Sequence, residues 1–350
     1  MFKKAFDSVL DEWYIENLRC PRHRLQLSFE SDKLVCPGKC EYYIVEGIPV
    51  MLLEEHEQTM ELVNNSIKRA KNELVDIRAP QLYLESLGIS EDEKKLAISL
   101  IGKSKIDPAV NVLVGATCGR LYRKAIGHLK TYPIPKLRLA KGDKKRLLDI
   151  GCNWGRWSIA AYKKGYEVIG IDPSLGSIMA AKRVNVSLGY NIRYIVADAR
   201  FLPFADDTYD VVFSYSVLQH LNKKNVEVCL KEISRILKNG GMSYIQMANK
   251  YGMVSYYHQL KRKFREPVNF EVRYRSPAEL KQQFEEKIGP TTLEVDCFLG
   301  LGIQASDIAI SPLHYKLVVI IAECLRQVSK VLPVVGYVSD SIYVKSYKIK

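Results

Sequence analysis

The chain has 350 residues, 47% of them hydrophobic and 26% charged, and carries a net charge of +13. That length buries a sizeable core in one catalytic domain with an addition or in two modest domains, and no apolar run approaches the roughly 20 residues that would span a bilayer. The basic excess favours polyanionic partners, nucleic acid or an anionic membrane surface. Eight cysteines, three of them clustered, suit a reducing compartment and a metal site rather than a disulfide scaffold. The first 18 residues are amphipathic and interrupted by acids, unlike a signal peptide, so the expected location is cytoplasmic.

The first cluster is Cys20-Pro-Arg-His23, followed after twelve residues by Cys36-Pro-Gly-Lys-Cys40. Two such pairs can supply Cys20, His23, Cys36 and Cys40 to one tetrahedral zinc ion, a structural site with no open position for substrate. The alternative is buried free cysteines beside a surface histidine. The run YYIVEGIPVML then closes a small β-domain. These segments together resemble the zinc-ribbon activator of tRNA and protein methyltransferases, and the resemblance implies a zinc-ribbon-like domain over residues 1–53.

Residues 54–128 read as helical. The first segment runs to Ile77, Pro80 breaks it, and Ser90 caps a second helix with acids in its first turn. A third, 109–129, places Val112, Leu113, Thr117, Leu121 and Ala125 near helical spacing. With the proline-containing linker that follows, residues 54–140 form a helical adapter.

The segment 146–172, RLLDIGCNWGRWSIAAYKKGYEVIGID, reads as a strand, a glycine turn, a helix and a second strand. Such a turn brings backbone N–H groups to a ligand, and the acid closing the second strand can accept hydrogen bonds from ribose hydroxyls. A dinucleotide fingerprint would need glycine at 151, 153 and 156, where the chain has Gly151, Asn153 and Arg156. Read as Asp-x-Gly-x-Gly-x-Gly, the loop matches at Asp149, Gly151 and Gly155, with Asn153 in the middle glycine place. Here the chain resembles the class I S-adenosylmethionine (SAM) methyltransferases. The resemblance implies that Gly151, Asn153 and Gly155 wrap the methionine part of SAM, that Asp172 binds its ribose, and that Asp198 and Ala199 contact adenine. Asp149 is expected to hold the loop or the amino group of SAM, Trp154 to touch the cofactor, and Tyr215 to shape the pocket.

Beyond Asp172 strands and helices alternate, which gives a parallel, doubly wound α/β sheet. Strands end at Asp198, at DVVFSYS and at Met247, and a helix with Val226, Leu230, Ile233 and Leu237 on one face is expected to stop at Gly240-Gly241. The resemblance implies a seven-stranded Rossmann-like sheet over 141–350 with an antiparallel final strand. Two long connections, 248–290 and 302–340, start at the edge where ligands bind and are the expected substrate lids. The first is basic; the second contains LVVIIAECLRQVSKVLPVVGYV, read as a buried helix in preference to a membrane-resting cover because it has no strong basic face.

Methyl transfer to a hydroxyl needs alignment, exclusion of water and a base. His220, after the fourth strand, is the candidate base, with His258 in the first lid as a second candidate. The reading is a SAM-dependent methyltransferase, acting on oxygen of a small-molecule, lipid-linked or glycan-precursor acceptor, with possible peripheral membrane contact. The alternatives are an RNA methyltransferase, which the basic charge suits, and a non-catalytic SAM-binding adapter.

Overall fold

The computed structural model describes residues 10–56, 60–117, 120–309 and 312–349. The expected helix over 109–129 is therefore described only in part: residues 118–119 and the side chains of Thr117 and Leu121 lie outside the described residues. So do 1–9 of the amphipathic N-terminal stretch and 57–59 of the first adapter segment.

Among the described residues, eleven strands form one sheet: β1 (Ser28–Glu30), β2 (Lys33–Val35), β3 (Glu41–Val45), β4 (Ile48–Met51), β5 (Arg146–Ile150), β6 (Glu167–Asp172), β7 (Arg193–Ala197), β8 (Tyr209–Tyr215), β9 (Leu237–Ala248), β10 (Thr291–Cys297) and β11 (Ser341–Tyr347). Their spatial order is β1-β2-β3-β4-β7-β6-β5-β8-β9-β11-β10. The expected seven strands are present as β5 to β11, with β11 antiparallel between β9 and β10. The sheet is mixed and has eleven strands, not seven, because the N-terminal β1–β4 meander extends it through parallel pairing of Val50 with Val196 and Met51 with Ala197. β4 is buried at all four residues. Its unbroken apolar run is what a strand covered on both faces requires.

The two faces of the sheet carry separate cores. On one, Ile48, Val50 and Leu52 pack with adapter residues such as Leu84, Leu87, Val110 and Leu113 and with the helices Arg156–Tyr162 and Leu175–Leu188. On the other, Met51 and Leu53 join Tyr14 and Leu18 and the inward faces of helices Lys223–Ile236 and Pro277–Lys287. The adapter consists of helices Glu61–Ala70, Glu91–Ser99 and Pro108–Thr117 with 3-10 turns between them. Ser90 and Glu93 form a reciprocal cap at the second of these. The adapter is pinned to the N-terminus of helix Leu175–Leu188 by polar contacts: Ser66 Oγ accepts the N–H of Leu175 at 2.9 Å, and Ser86 Oγ that of Gly176 at 2.8 Å.

Three expectations change. The first adapter helix stops at Ala70 rather than running to Ile77, because the chain turns left-handed at Asn72 (φ +59°). The helix after β8 stops at Ile236, because Leu237 is extended and already paired with Tyr209; Gly240 and Gly241 lie in an irregularity of β9, with Gly240 at φ +76°. The second long connection holds a helix, Leu313–Val331, that is not buried: Val319, Ala322 and Ser329 face inward, while Leu317 and Ile320 are 59% and 47% exposed. Only one narrow stripe meets the small core formed with Cys297, Phe298 and Ile303. Among the described residues no helix is long and apolar enough to cross a membrane.

Candidate active site

Register places the ends of β5, β6, β7 and β8 at one edge of the sheet. The loop after β5 turns there on three left-handed residues, Gly151 (φ +72°), Asn153 (φ +48°) and Gly155 (φ +84°). At Gly151 a Cβ would come within 2.2 Å of Val217 Cγ2, and at Gly155 within 2.5 Å of the Tyr194 hydroxyl. Glycine at both positions is thus demanded by conformation and by space. Asn153 holds its left-handed turn with its own side chain, whose Oδ1 accepts the Trp154 N–H at 2.9 Å while Nδ2 donates to Ser177 Oγ at 3.2 Å.

Asp172 ties this loop to the neighbouring strand. Its Oδ2 accepts the Asn153 N–H at 3.0 Å and its Oδ1 the Ser174 N–H at 2.9 Å. Burial pushes its carboxyl up to about 6 against the pull of those two donors. Each oxygen retains acceptor capacity beyond these single bonds, which is what a pair of ribose hydroxyls needs. Asp149, fully buried, accepts a 2.6 Å hydrogen bond from Ser158 Oγ, and burial, with a smaller push from Asp172, raises it to about 7.

The other sequence-derived positions divide. Trp154 is wholly buried, 6.0 Å from the Tyr132 ring, with Nε1 lacking a hydrogen-bond partner, so its ring belongs to the core under the loop. Asp198 is half-neutralised in advance by Arg200, whose Nη2 lies 2.6 Å from Oδ2 and whose Nε contacts both oxygens. Ala199 packs at the margin of the second core, and Phe201 beyond it stacks on His56 at 4.2 Å, so the N-terminal segment reaches this edge of the sheet. Tyr215 lies against Trp157 at 4.5 Å, and its hydroxyl donates to Asp296 at 2.8 Å. Asp296, fully buried, also binds Ser341 Oγ and Arg138, making a polar knot that sequence reading missed because its other members lie 45 to 158 positions from Asp296.

His220 ends a 3-10 turn after β8. Its Nδ1 is 2.7 Å from the Phe270 carbonyl, and its ring is stacked 3.9 Å from that of Phe270. A carbonyl only accepts, so Nδ1 carries the proton and Nε2 the lone pair. Burial, helped by the charge of Arg273, lowers the imidazole to about 4. His258 sits elsewhere, with Nδ1 3.2 Å from the Tyr274 hydroxyl, in a basic cavity lined by Lys261, Arg262 and Arg265 that His220 does not line. The arginines of this first insertion are largely turned inward: Arg262 donates to the Val272 carbonyl, Arg273 to that of His220, and Arg275 to that of Leu221, while Arg265 pairs with Glu271. They brace the insertion over the end of β8, and only Arg273, through its charge and its contact with His220, acts on the candidate base.

In the N-terminal meander, His23 Nδ1 lies 3.8, 3.4 and 3.6 Å from the sulfurs of Cys20, Cys36 and Cys40. A zinc tetrahedron has nitrogen–sulfur and sulfur–sulfur edges of roughly 3.5 to 3.8 Å, close to these three distances, and the donor atoms of Cys20, His23 and Cys36 all lie within 4.8 Å of one another, a group that does not extend to Cys40. Backbone N–H groups of His23 and Gly38 point at the sulfurs of Cys20 and Cys36, at 3.4 and 3.3 Å, as thiolates require. A Cβ on Gly38 would lie 2.3 Å from His23 Nδ1, so a glycine there lets the ring approach.

In comparison with known proteins, residues 147–241 match a family described as a methyltransferase domain. The chain is 31% identical over 129 residues to a ubiquinone biosynthesis O-methyltransferase of Pelagibacter ubique, covering 36% of this chain and 52% of that protein. It is 28% identical over 194 residues to the biotin biosynthesis bifunctional protein BioHC of Cellvibrio japonicus, covering 55% and 34%. The chain thus spans about half or less of these curated relatives. Among solved structures it is similar to the complex between the Haloferax volcanii Trm112 methyltransferase activator and a methyltransferase, with 19% identity, a TM-score of 0.42, and 61% and 86% coverage of the two chains.

Proposed function

We propose that this chain, which carries a class I SAM-dependent methyltransferase domain, transfers the methyl group of SAM to an oxygen of a small-molecule, lipid-linked or glycan-precursor acceptor. The observation that carries the reading is the coupling of Asp172 to the left-handed loop: one carboxylate fixes Asn153 and Ser174 and still offers acceptor positions where a ribose would lie. Gly151, Asn153 and Gly155 then wrap the methionine part, and Asp149 holds the loop through Ser158. When bound, SAM supplies an electrophilic methyl on a sulfonium, whose C–S bond breaks as the acceptor oxygen bonds the carbon and the electron pair stays on sulfur. His220 takes the acceptor's proton at Nε2, and the Phe270 carbonyl supports the resulting charge through Nδ1–H. Its low basicity keeps it unprotonated and ready at neutral pH.

An acceptor smaller than RNA is favoured by the inward use of the arginines at 262, 273 and 275, which leaves fewer cations for phosphate contacts than the sequence suggested. In this reading residues 1–53 are a zinc-ribbon-like module with Cys20, His23, Cys36 and Cys40 holding a structural zinc, 54–140 an adapter, and 141–350 the catalytic unit, in the cytoplasm. The test is incubation with SAM labelled in its methyl group and a cell extract, followed by separation of RNA, protein, lipid and small molecules. Label in the lipid or small-molecule fraction supports the proposal. RNase-sensitive label transfers the function to RNA, and SAM binding without any transfer leaves the non-catalytic adapter.

A further inference from the structure

A cavity of about 910 Å³ lies between the two insertions, against β9, β10 and β11. Leu293, Val295 and Ile342 give it an apolar floor, and helix Leu313–Val331 forms one wall. Its volume suits a ligand of some tens of heavy atoms.

The charges around it do not balance. Arg138 is paired with Asp296 and Arg326 with Glu323, while Glu294 is engaged by the Tyr244 hydroxyl at 2.9 Å and by Lys345 at 3.6 Å. That leaves Lys136, Lys281 and Lys330, each from a different element and each exposed, with no ion pair or hydrogen bond among the described residues. Three uncompensated ammonium groups around low-dielectric walls focus a positive potential into the space. A hydrogen bond links the cavity wall to the strand that ends at the candidate active site. Gln304, in its lining, donates from Nε2 to the Tyr215 hydroxyl at 2.8 Å, and Tyr215 ends β8, whose Ser214 pairs with Ile150 immediately before Gly151.

From this juxtaposition we infer that the cavity binds the methyl acceptor and that the acceptor is an amphiphilic anion, an apolar body bearing a phosphate or carboxylate. The inference rests on the methyltransferase reading above and adds to it a substrate class. The apolar body lies on Leu293 and Val295, the anionic group is held among the three lysines, and the end to be methylated extends past Gln304 toward the loop. An apolar floor alone would take any hydrophobe; the lysines select the charged one.

The test uses the full chain and calorimetric titration with dodecyl phosphate, dodecanol and inorganic phosphate below the micellar range. Dodecyl phosphate is expected to bind about tenfold or more tightly than dodecanol, and inorganic phosphate not to compete at equal concentration. The triple variant Lys136→Gln, Lys281→Gln, Lys330→Gln, which changes only exposed head groups, is expected to abolish that preference and to leave SAM affinity unchanged. Equal binding of phosphate ester and alcohol, or a triple variant that keeps the preference, overturns the inference. So does displacement by a glutamate decapeptide as readily as by dodecyl phosphate, which would assign the groove to a peptide on the open edge of β10. Failure of the methyltransferase reading would look different: no SAM binding, with dodecyl phosphate binding intact.

Discussion

Asp172 is the residue whose loss the structure allows to be worked through. Asp172→Ala removes the acceptors for the Asn153 and Ser174 N–H groups, at 3.0 and 2.9 Å. The helix that follows retains its cap, since Ser174 Oγ still accepts the Ser177 N–H at 3.1 Å. The damage therefore falls on the loop and on the ribose contacts. Hydrogen bonds to a charged acceptor contribute about 1.5 to 3 kcal/mol each, so losing the ribose pair while freeing the loop weakens SAM binding by about 3 to 4 kcal/mol, roughly 200- to 1000-fold. Asp172→Asn keeps one acceptor but turns an amide NH₂ toward a backbone donor, and should weaken binding by about 20-fold. The assay is calorimetric titration with SAM at pH 8, where the carboxyl is ionised, alongside a thermal melt to check the fold. A Asp172→Ala protein that melts like the parent and binds SAM within about threefold of it would refute the ribose assignment.

Other consequences follow from the same geometry. Burial raises both Asp149 and Asp172 above the ordinary carboxyl range, to about 7 and about 6. The folded protein thus holds these protons more tightly than the unfolded chain, and the unliganded fold loses stability as pH rises from about 4 through 7. Asp149→Asn should accordingly raise unliganded stability at pH 8 by about 1 to 2 kcal/mol in denaturant titrations, a gain that would be absent if Asp149 were ionised at no cost. SAM affinity should fall as pH drops from 8 to 5.5, because protonated carboxyls lose acceptor capacity; a flat profile would contradict this. His220→Ala should lower the methyl-transfer rate by about 100-fold or more with SAM affinity unchanged, and the parent rate should show no acid limb from His220 until pH nears 4. Chelation should release one zinc per chain, measured by a chromogenic chelator, and lower the melting temperature, and Cys36→Ser should reproduce both; full metal retention by that variant would exclude the four-donor site.

Local pattern made much of this legible. The α/β alternation from β5 to β11, the Ser90 cap and the glycine positions 151 and 155 are properties of short windows, in which periodicity, capping chemistry and φ are decided by neighbours. The proximity of Cys20, His23 and Cys36 was legible for the same reason, since knuckle spacing is a local constraint. The run YYIVEGIPVML was legible as part of a small β-domain, yet its union with the main sheet was not: the partner of β4 is β7, some 146 residues away, and nothing in either strand encodes the register that makes the sheet eleven strands wide. Trp154 shows the limit within a single loop, because its position beside Asn153 suggested cofactor contact whereas its direction is set by packing near Tyr132. The second insertion's helix was misread as buried because hydrophobicity states what a surface would shed water against, not whether the fold supplies something to cover it. Only the tertiary structure could decide that Tyr215 is bound into the Asp296 knot, that Phe270 orients His220, and that three distant lysines surround one apolar cavity. These depend on long-range closure of the chain, and side-chain electrostatics follow from the burial and neighbours which that closure creates.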